Sequence, residues 1–312
     1  MTQRSKTSLK NKIVSKYRWL LSLVLGLGVS WTIAKPGLTQ ALLPYTPEVK
    51  ADQFEEKGID LAQQVEYLLR YRLDDEASIA SAVSMARLST QLAPNKSETW
   101  RILGILYAQQ KQFDQSLIAL NKAVSLDSTN PVNYFILGRI YFQKGDYPKA
   151  ETNIEQGLKI KPDEVEPLFD LGNTKLKLGQ LPASITAYQK AVTLDKKFWP
   201  ALNNIGLVRY EQGNIEGAIK AWQEVIKIDN KQAEPQLALA VALYHQGKTE
   251  QAYKRAQEAL TIDNQYANLD FLKENLWGER ILEDTKTLLN TSNMQNVIKS
   301  LKKTTKTTTS SP

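Results

Sequence analysis

Residues 100–107 read WRILGILY. Trp100, Leu103, Gly104 and Tyr107 stand at i, i+3, i+4 and i+7, the spacing that lines one face of an α-helix. The pair Leu103-Gly104 returns as Leu137-Gly138, Leu171-Gly172 and Ile205-Gly206, then altered as Leu239-Ala240, at a constant step of 34 residues. Gly145, Gly179, Gly213 and Gly247 keep the same step, with Lys111 at the equivalent earlier place. So do the small residues Ser116, Ala150, Ser184, Ala218 and Ala252. A fixed period held in phase through five units marks a chain of stacked repeats.

Each unit carries a second apolar run after its turn residue, as at Ile154, Leu158 and Ile160. The pattern predicts an all-α chain of helix-turn-helix units at 97–130, 131–164, 165–198, 199–232 and 233–266. Stepping back gives a degenerate unit at 63–96, where Leu69, Ala82, Ala86 and Pro94 still fit. Prolines fall at unit starts and at the first turn of second helices (Pro131, Pro148, Pro167, Pro182, Pro200, Pro235), where the missing donor costs little. One unit cannot bury its apolar face alone, so neighbours must stack. Residues 267–290 continue the phase with Lys273-Glu274 in place of Leu-Gly and an apolar stripe of Phe271, Leu272, Leu276, Trp277, Ile281 and Leu288. A capping helix is expected there. Residues 42–62 read as an extended lead-in. Residues 291–312, rich in Lys, Thr and Ser, read as a disordered tail.

The unit from Trp100 to Tyr107 resembles the tetratricopeptide repeat (TPR), whose pattern W-x2-L-G-x2-Y it matches directly. Departures occur at Lys175 and Arg209, which replace the first-helix aromatic, and at the repeat's terminal proline, kept only at Pro94 and Pro162. The resemblance implies a right-handed α-solenoid of about six TPR units. It also implies a concave groove lined by positions 2, 5, 9 and 12 of each first helix. Those positions give the candidate partner-binding residues Arg101, Phe135, Arg139, Phe142, Phe169, Asn173, Asn203, Tyr210 and Tyr244. Exposed aromatics with a few polar points suit an apolar or amphipathic protein segment. The same aromatics could instead pack between repeats. The family's clamp for acidic chaperone tails needs Lys, Asn, Asn and two bases; this chain has Phe169, Asn173, Asn204, Glu234 and Ala238, so that partner is not expected.

Charge and composition narrow the function. The formal net charge is +7, but residues 1–41 carry seven bases and no acid, and the last 22 residues carry four lysines and no acid. The span 42–290 holds 29 bases and 33 acids, so the repeats are slightly acidic and a nucleic-acid partner is not expected. There is no cysteine, which excludes disulfides, thiolate metal sites, a cysteine nucleophile and a lipidated-cysteine anchor. One histidine, His245, excludes multi-histidine metal sites. Gly247-Lys248-Thr249 resembles the end of a phosphate loop, but Ala242 stands where that loop needs glycine, and Gly247 belongs to the turn series. Glu55-Glu56 and Asp74-Asp75 are sequence neighbours, which diverge on a helix and make no acid–base pair. No catalytic constellation, metal or cofactor is expected, and the chain reads as a non-enzyme.

Residues 19–34, WLLSLVLGLGVSWTIA, follow a basic stretch and precede Lys35-Pro36-Gly37 and Thr39-Gln40-Ala41. That layout is a secretory signal or a retained anchor, with cleavage after Ala41 in the first case. Either way the bases before the apolar run keep the N-terminus cytoplasmic and send the repeats across. The stretches ALLPYTPEV, DKKFWPALNNIGLVRYEQGNIEGAIKAWQ and FLKENLWGERIL resemble exported TPR proteins of cyanobacteria and plastids of the photosystem I assembly type. That resemblance implies a thylakoid membrane or lumen location and photosystem subunits as clients. A general periplasmic or lumenal scaffold or co-chaperone is the alternative.

Overall fold

The computed structural model describes residues 51–71 and 75–308. The apolar leader segment 19–34, the rest of 1–41 and the first part of the lead-in lie outside the described residues. Among the described residues there is no strand, and no helix is long and apolar enough to cross a membrane.

Six helix pairs follow one another. They are α1 (Ala51–Tyr71) with α2 (Glu76–Leu92), α3 (Ser97–Gln109) with α4 (Phe113–Leu126), and α5 (Pro131–Gln143) with α6 (Tyr147–Ile160). Then come α7 (Val165–Lys177) with α8 (Leu181–Leu194), α9 (Trp199–Glu211) with α10 (Ile215–Ile228), and α11 (Ala233–His245) with α12 (Thr249–Ile262). From α3 onward, first and second helices each restart at the step read from the sequence. Helices pair within a unit, and each second helix packs on the first helix of the next unit.

The repeated residues explain the repeated geometry. Gly145, Gly179, Gly213 and Gly247 turn between paired helices with φ of +79, +74, +77 and +74°. Glycine takes this left-handed backbone without steric cost. Lys111 occupies the same place at φ +58°, so in its unit a side chain bears that strain. Inside each pair, the first-helix glycine faces a large residue of the second helix: Gly104 faces Leu120, Gly138 Ile154, Gly172 Tyr188 and Gly206 Trp222. A Cβ at any of these glycines would collide with its partner side chain. The missing methyl therefore makes room for the residue that fills the core, and Leu120, Ile154, Tyr188 and Trp222 are all fully or almost fully buried. In the sixth unit Ala240 takes the glycine's place, and the corresponding second-helix residue, Ala256, is small.

Three expectations are corrected at the ends. Residues 51–62 are helical, not extended, and the back-stepped boundary at 63 falls inside α1. The buried face of α1 starts earlier than the repeat phase: Gly58 abuts Ala93, and Ala62 and Val65 are fully buried. The helix must reach back to place Gly58. The cap over 267–290 is not one helix. It is a 3-10 turn (Asn264–Ala267), α13 (Leu269–Glu274) and α14 (Glu279–Leu289), with Leu276 at φ +68° between the two α-helices. The break turns Trp277 inward, where it is 3% exposed. The tail is not disordered up to Thr308, since α15 (Ser292–Thr308) follows. Met294 is fully buried, and Val297, Ile298 and Leu301 pack beside it, so a helical apolar stripe lies beneath the polar composition.

Candidate functional site

The first helices α3, α5, α7, α9 and α11 carry the positions named for the groove. Where α5, α7 and α9 meet, a recess of about 260 Å³ opens between Phe142, Phe169, Asn173, Trp199, Pro200, Asn203, Asn204 and Glu234, with Glu274, Asn275 and Leu276 closing one side. Four of the nine candidate residues, Phe142, Phe169, Asn173 and Asn203, are thus brought together at one place.

Aromatic packing sets the recess walls. The Phe142 ring stands edge-on to Tyr147 at 5.3 Å, and Phe169 lies 5.5 Å from Phe198 and 5.8 Å from Tyr188 between ring centroids. An amide network forms the floor. Asn173 Oδ1 accepts from the Tyr188 hydroxyl at 2.7 Å and from Asn204 Nδ2 at 2.9 Å. Asn203 Nδ2 donates to Asn204 Oδ1 at 3.3 Å. Burial holds the Tyr188 hydroxyl far above the ordinary phenol range, so it serves as a fixed donor. Asn203 is 1% exposed, yet its Oδ1 has no hydrogen-bond partner. An acceptor buried without a donor is costly, and this one lies closed off beneath the recess, whose lining includes other parts of the Asn203 neighbourhood.

The remaining candidates lie elsewhere. Phe135 is 8% exposed and fills the space beside Gly157 of α6, which no side chain could share, so it serves packing and not an open wall. Arg139 is exposed and bridges to α7, with Nε 2.6 Å from Asp170 Oδ2 and Nη2 2.9 Å from Glu166 Oε2. Burial nevertheless raises the Asp170 carboxyl above its usual range, against the pull of Arg139. Arg101 is half-buried with an unpartnered Nε. Tyr244 is half-buried against Tyr253, 6.2 Å between centroids. Tyr210 is fully buried and donates to Asp284 Oδ2 at 2.6 Å. Burial first, and then Asp284, pushes its hydroxyl far above the ordinary range.

Tyr210 is buried because the chain returns across the wall. Residues 275–289 lie over α9 and α11. Trp277 Nε1 donates to Glu234 Oε1 at 2.9 Å, and Glu211 accepts the backbone N–H groups of Arg280 and Ile281 at 3.2 and 3.0 Å. Burial raises the Glu234 carboxyl, only partly offset by the Trp277 and Asn203 hydrogen bonds. His245 Nδ1 stands 3.3 Å from Asp284 Oδ2. Sequence reasoning placed none of Glu211, Trp277 and Asp284 at a site, and met Glu234 only as a first-helix groove position. Their partners lie up to 74 residues apart, beyond the reach of local periodicity.

Residues 138–179, 172–213 and 206–247 match the model of the TPR repeat. Residues 138–247 carry TPR repeats. Residues 47–135 of the chain also match the model of the ChAPs, the Chs5p-Arf1p-binding proteins. Among solved structures it is similar to PilF of Pseudomonas aeruginosa, at 12% identity over 72% of this chain and 98% of that one, with a TM-score of 0.60. PilW, described as a widely conserved type IV pilus biogenesis factor, gives 13% identity over 77% and 98%, with a TM-score of 0.60. MamA from Desulfovibrio magneticus RS-1, from residue 41 to its end, gives 19% over 57% and 97%, with a TM-score of 0.51. At these identities the likeness is one of fold. No curated protein matches the chain significantly. TPR proteins are in general protein-binding scaffolds, and this one shares their architecture.

Proposed function

We propose that the chain is a non-catalytic scaffold that holds a segment of a client protein in the recess between α5, α7 and α9. The observation that carries this reading is the recess itself: aromatic walls at Phe142, Phe169 and Trp199 beside the amides of Asn173, Asn203 and Asn204. An apolar side chain of a bound segment fills the space between the rings. Phe142 and Phe169 contribute contact area, whereas Asn173 is held by the network and shapes the floor. Arg139 and Arg101 are further contact points along the same wall.

The repeats act on the non-cytoplasmic side of a membrane in this reading, supported by the basic and apolar leader in residues 1–41. The leader serves as the membrane anchor if it is retained. Photosystem subunits are the proposed clients, supported by the likeness in layout to exported TPR proteins that assemble photosystem I.

A photo-crosslinking side chain placed at Phe142, in native membranes, tests the groove. A discrete adduct with a membrane subunit is expected, weakened about tenfold by Phe169→Ala, roughly 1.4 kcal/mol of binding. A folded protein that yields no adduct from position 142 would sink the reading. A reporter active only outside the cytoplasm, fused after Pro312, tests the side of the membrane, and a silent fusion would remove that part.

A further inference from the structure

The wall of the repeats is open around Phe142 and Phe169 but covered over the fifth and sixth units by residues 275–289. The covering segment is not a seventh unit. Lys273-Glu274 break the repeat pattern, Leu276 reverses the chain at φ +68°, and α14 lies on the first helices α9 and α11. A continued repeat would instead sit beyond α12.

The contacts holding it are those of a ligand in a site. Trp277 inserts its indole, with Nε1 bonded to the carboxylate of Glu234. The N-cap of α14 is Gly278, which offers no capping side chain. Glu211 of the wall performs the cap instead, taking two N–H groups of the first turn on its two oxygens. A Cβ at 278 would collide with the Glu211 carboxyl, so the site reads the absence of a side chain there. Tyr210 and His245 then meet Asp284, and the Arg280 guanidinium lies 5.9 Å from the Tyr210 ring centre. These polar anchors are directional, and beside them Trp277, Ile281, Leu288 and Leu289 bury an apolar face against Leu207, Tyr210 and Leu237 of the wall. The start of the segment, Asn275 and Leu276, also forms one side of the open recess, so anything seated in the recess touches it.

We propose that residues 275–289 are a self-ligand, occupying a helix-binding surface on the fifth and sixth units that takes, in exchange, a partner helix of the same chemistry. That partner carries an indole N–H donor just before a glycine-started, uncapped helix N-terminus. This deepens the groove reading above by extending the client surface past the recess, but its test uses no client.

The test uses the full chain and a labelled synthetic peptide of residues 269–291. Wild-type chain is compared with the full-chain variants Trp277→Ala and Gly278→Ala, which weaken the segment in cis. Both variants are expected to bind the wild-type peptide at least tenfold more tightly than wild-type chain does. Adding Glu211→Gln to either is expected to abolish the gain. Peptide affinity equal within twofold in all three chains, or a gain that survives Glu211→Gln, overturns the proposal. Should Trp277→Ala lose its helical circular dichroism, Gly278→Ala decides, since it leaves the indole in place. Hydrogen exchange on the wild-type chain decides without any variant. Amides of α14 are expected to exchange at least tenfold faster than those of α9 and α11, and exchange only through global unfolding would make the segment a fixed cap. Failure of the position-142 crosslink would remove the recess reading and leave the peptide measurement standing.

Discussion

The third and fourth units and the fifth and sixth share one backbone plan but present opposite faces to their surroundings. Around α5 and α7 the wall is open, its aromatics are half-buried, and its charges pair across the surface, as Arg139 does with Glu166 and Asp170. Around α9 and α11 the wall is closed, Tyr210 is fully buried, and carboxylates are held inside. The repeat pattern is the same in both. What differs is whether another segment of the chain lies on top. The phase of a repeat therefore fixes which residues face the wall, whereas the segment that returns to it fixes which of them are accessible.

The contrast can be broken most strongly at Trp277. Trp277→Ala removes a buried indole and one of the two donors to Glu234, so a loss of about 3–5 kcal/mol is expected in urea unfolding, carried by the covered end. A loss under about 1 kcal/mol would mean that the cover adds nothing to the wall beneath it. Gly206→Ala, against Trp222, should cost about 1–3 kcal/mol through overpacking. The equivalent residue of the sixth unit is already Ala240, facing small Ala256, so Ala240→Gly should cost only about 1 kcal/mol, mainly in helix propensity. Thermal melts of the two variants compare the regions directly.

The next effect is the pH dependence that Glu234 gives the covered wall. Glu234 has its carboxyl pKa raised in the folded state, so between the unfolded and folded values the native chain binds more protons than the unfolded one. Its contribution to stability is therefore full below the ordinary carboxylate range and is lost as pH rises toward the folded value. Glu234→Gln keeps an acceptor for Trp277 and should flatten that slope in urea midpoints taken from pH 4 to 7. A slope identical to wild type would show that Glu234 is not the group titrating. The smallest effect belongs to the open wall. Arg139→Ala removes a half-exposed ion pair and should change stability by about 0–1 kcal/mol, falling further at high salt.

Much of this molecule is written in its period. The 34-residue step carries helix starts, turn glycines and the glycine-to-large-residue contacts, because each depends on neighbours a few residues away or one unit away. The groove was legible only in part. Phe142, Phe169, Asn173 and Asn203 converge as their repeat positions imply, but Phe135 faces Gly157, since α6 offers it a hole that periodicity does not mark. Composition misled at the tail, where Met294, Val297, Ile298 and Leu301 outweigh the lysines and threonines around them. The return of Trp277 to Glu234 left no local trace, since neither residue alone departs from what a cap or a wall position allows.

Glu211 completes a helix that begins more than sixty residues later, and this orders events in time. Chains are made from the N-terminus, and a helix as short as α14 is marginal without outside support. The wall carrying Glu211 is therefore synthesised and folded before the helix that needs it exists. Until residues 275–289 have emerged, the fifth and sixth units stand uncovered. A newborn molecule thus offers a longer binding face than a mature one.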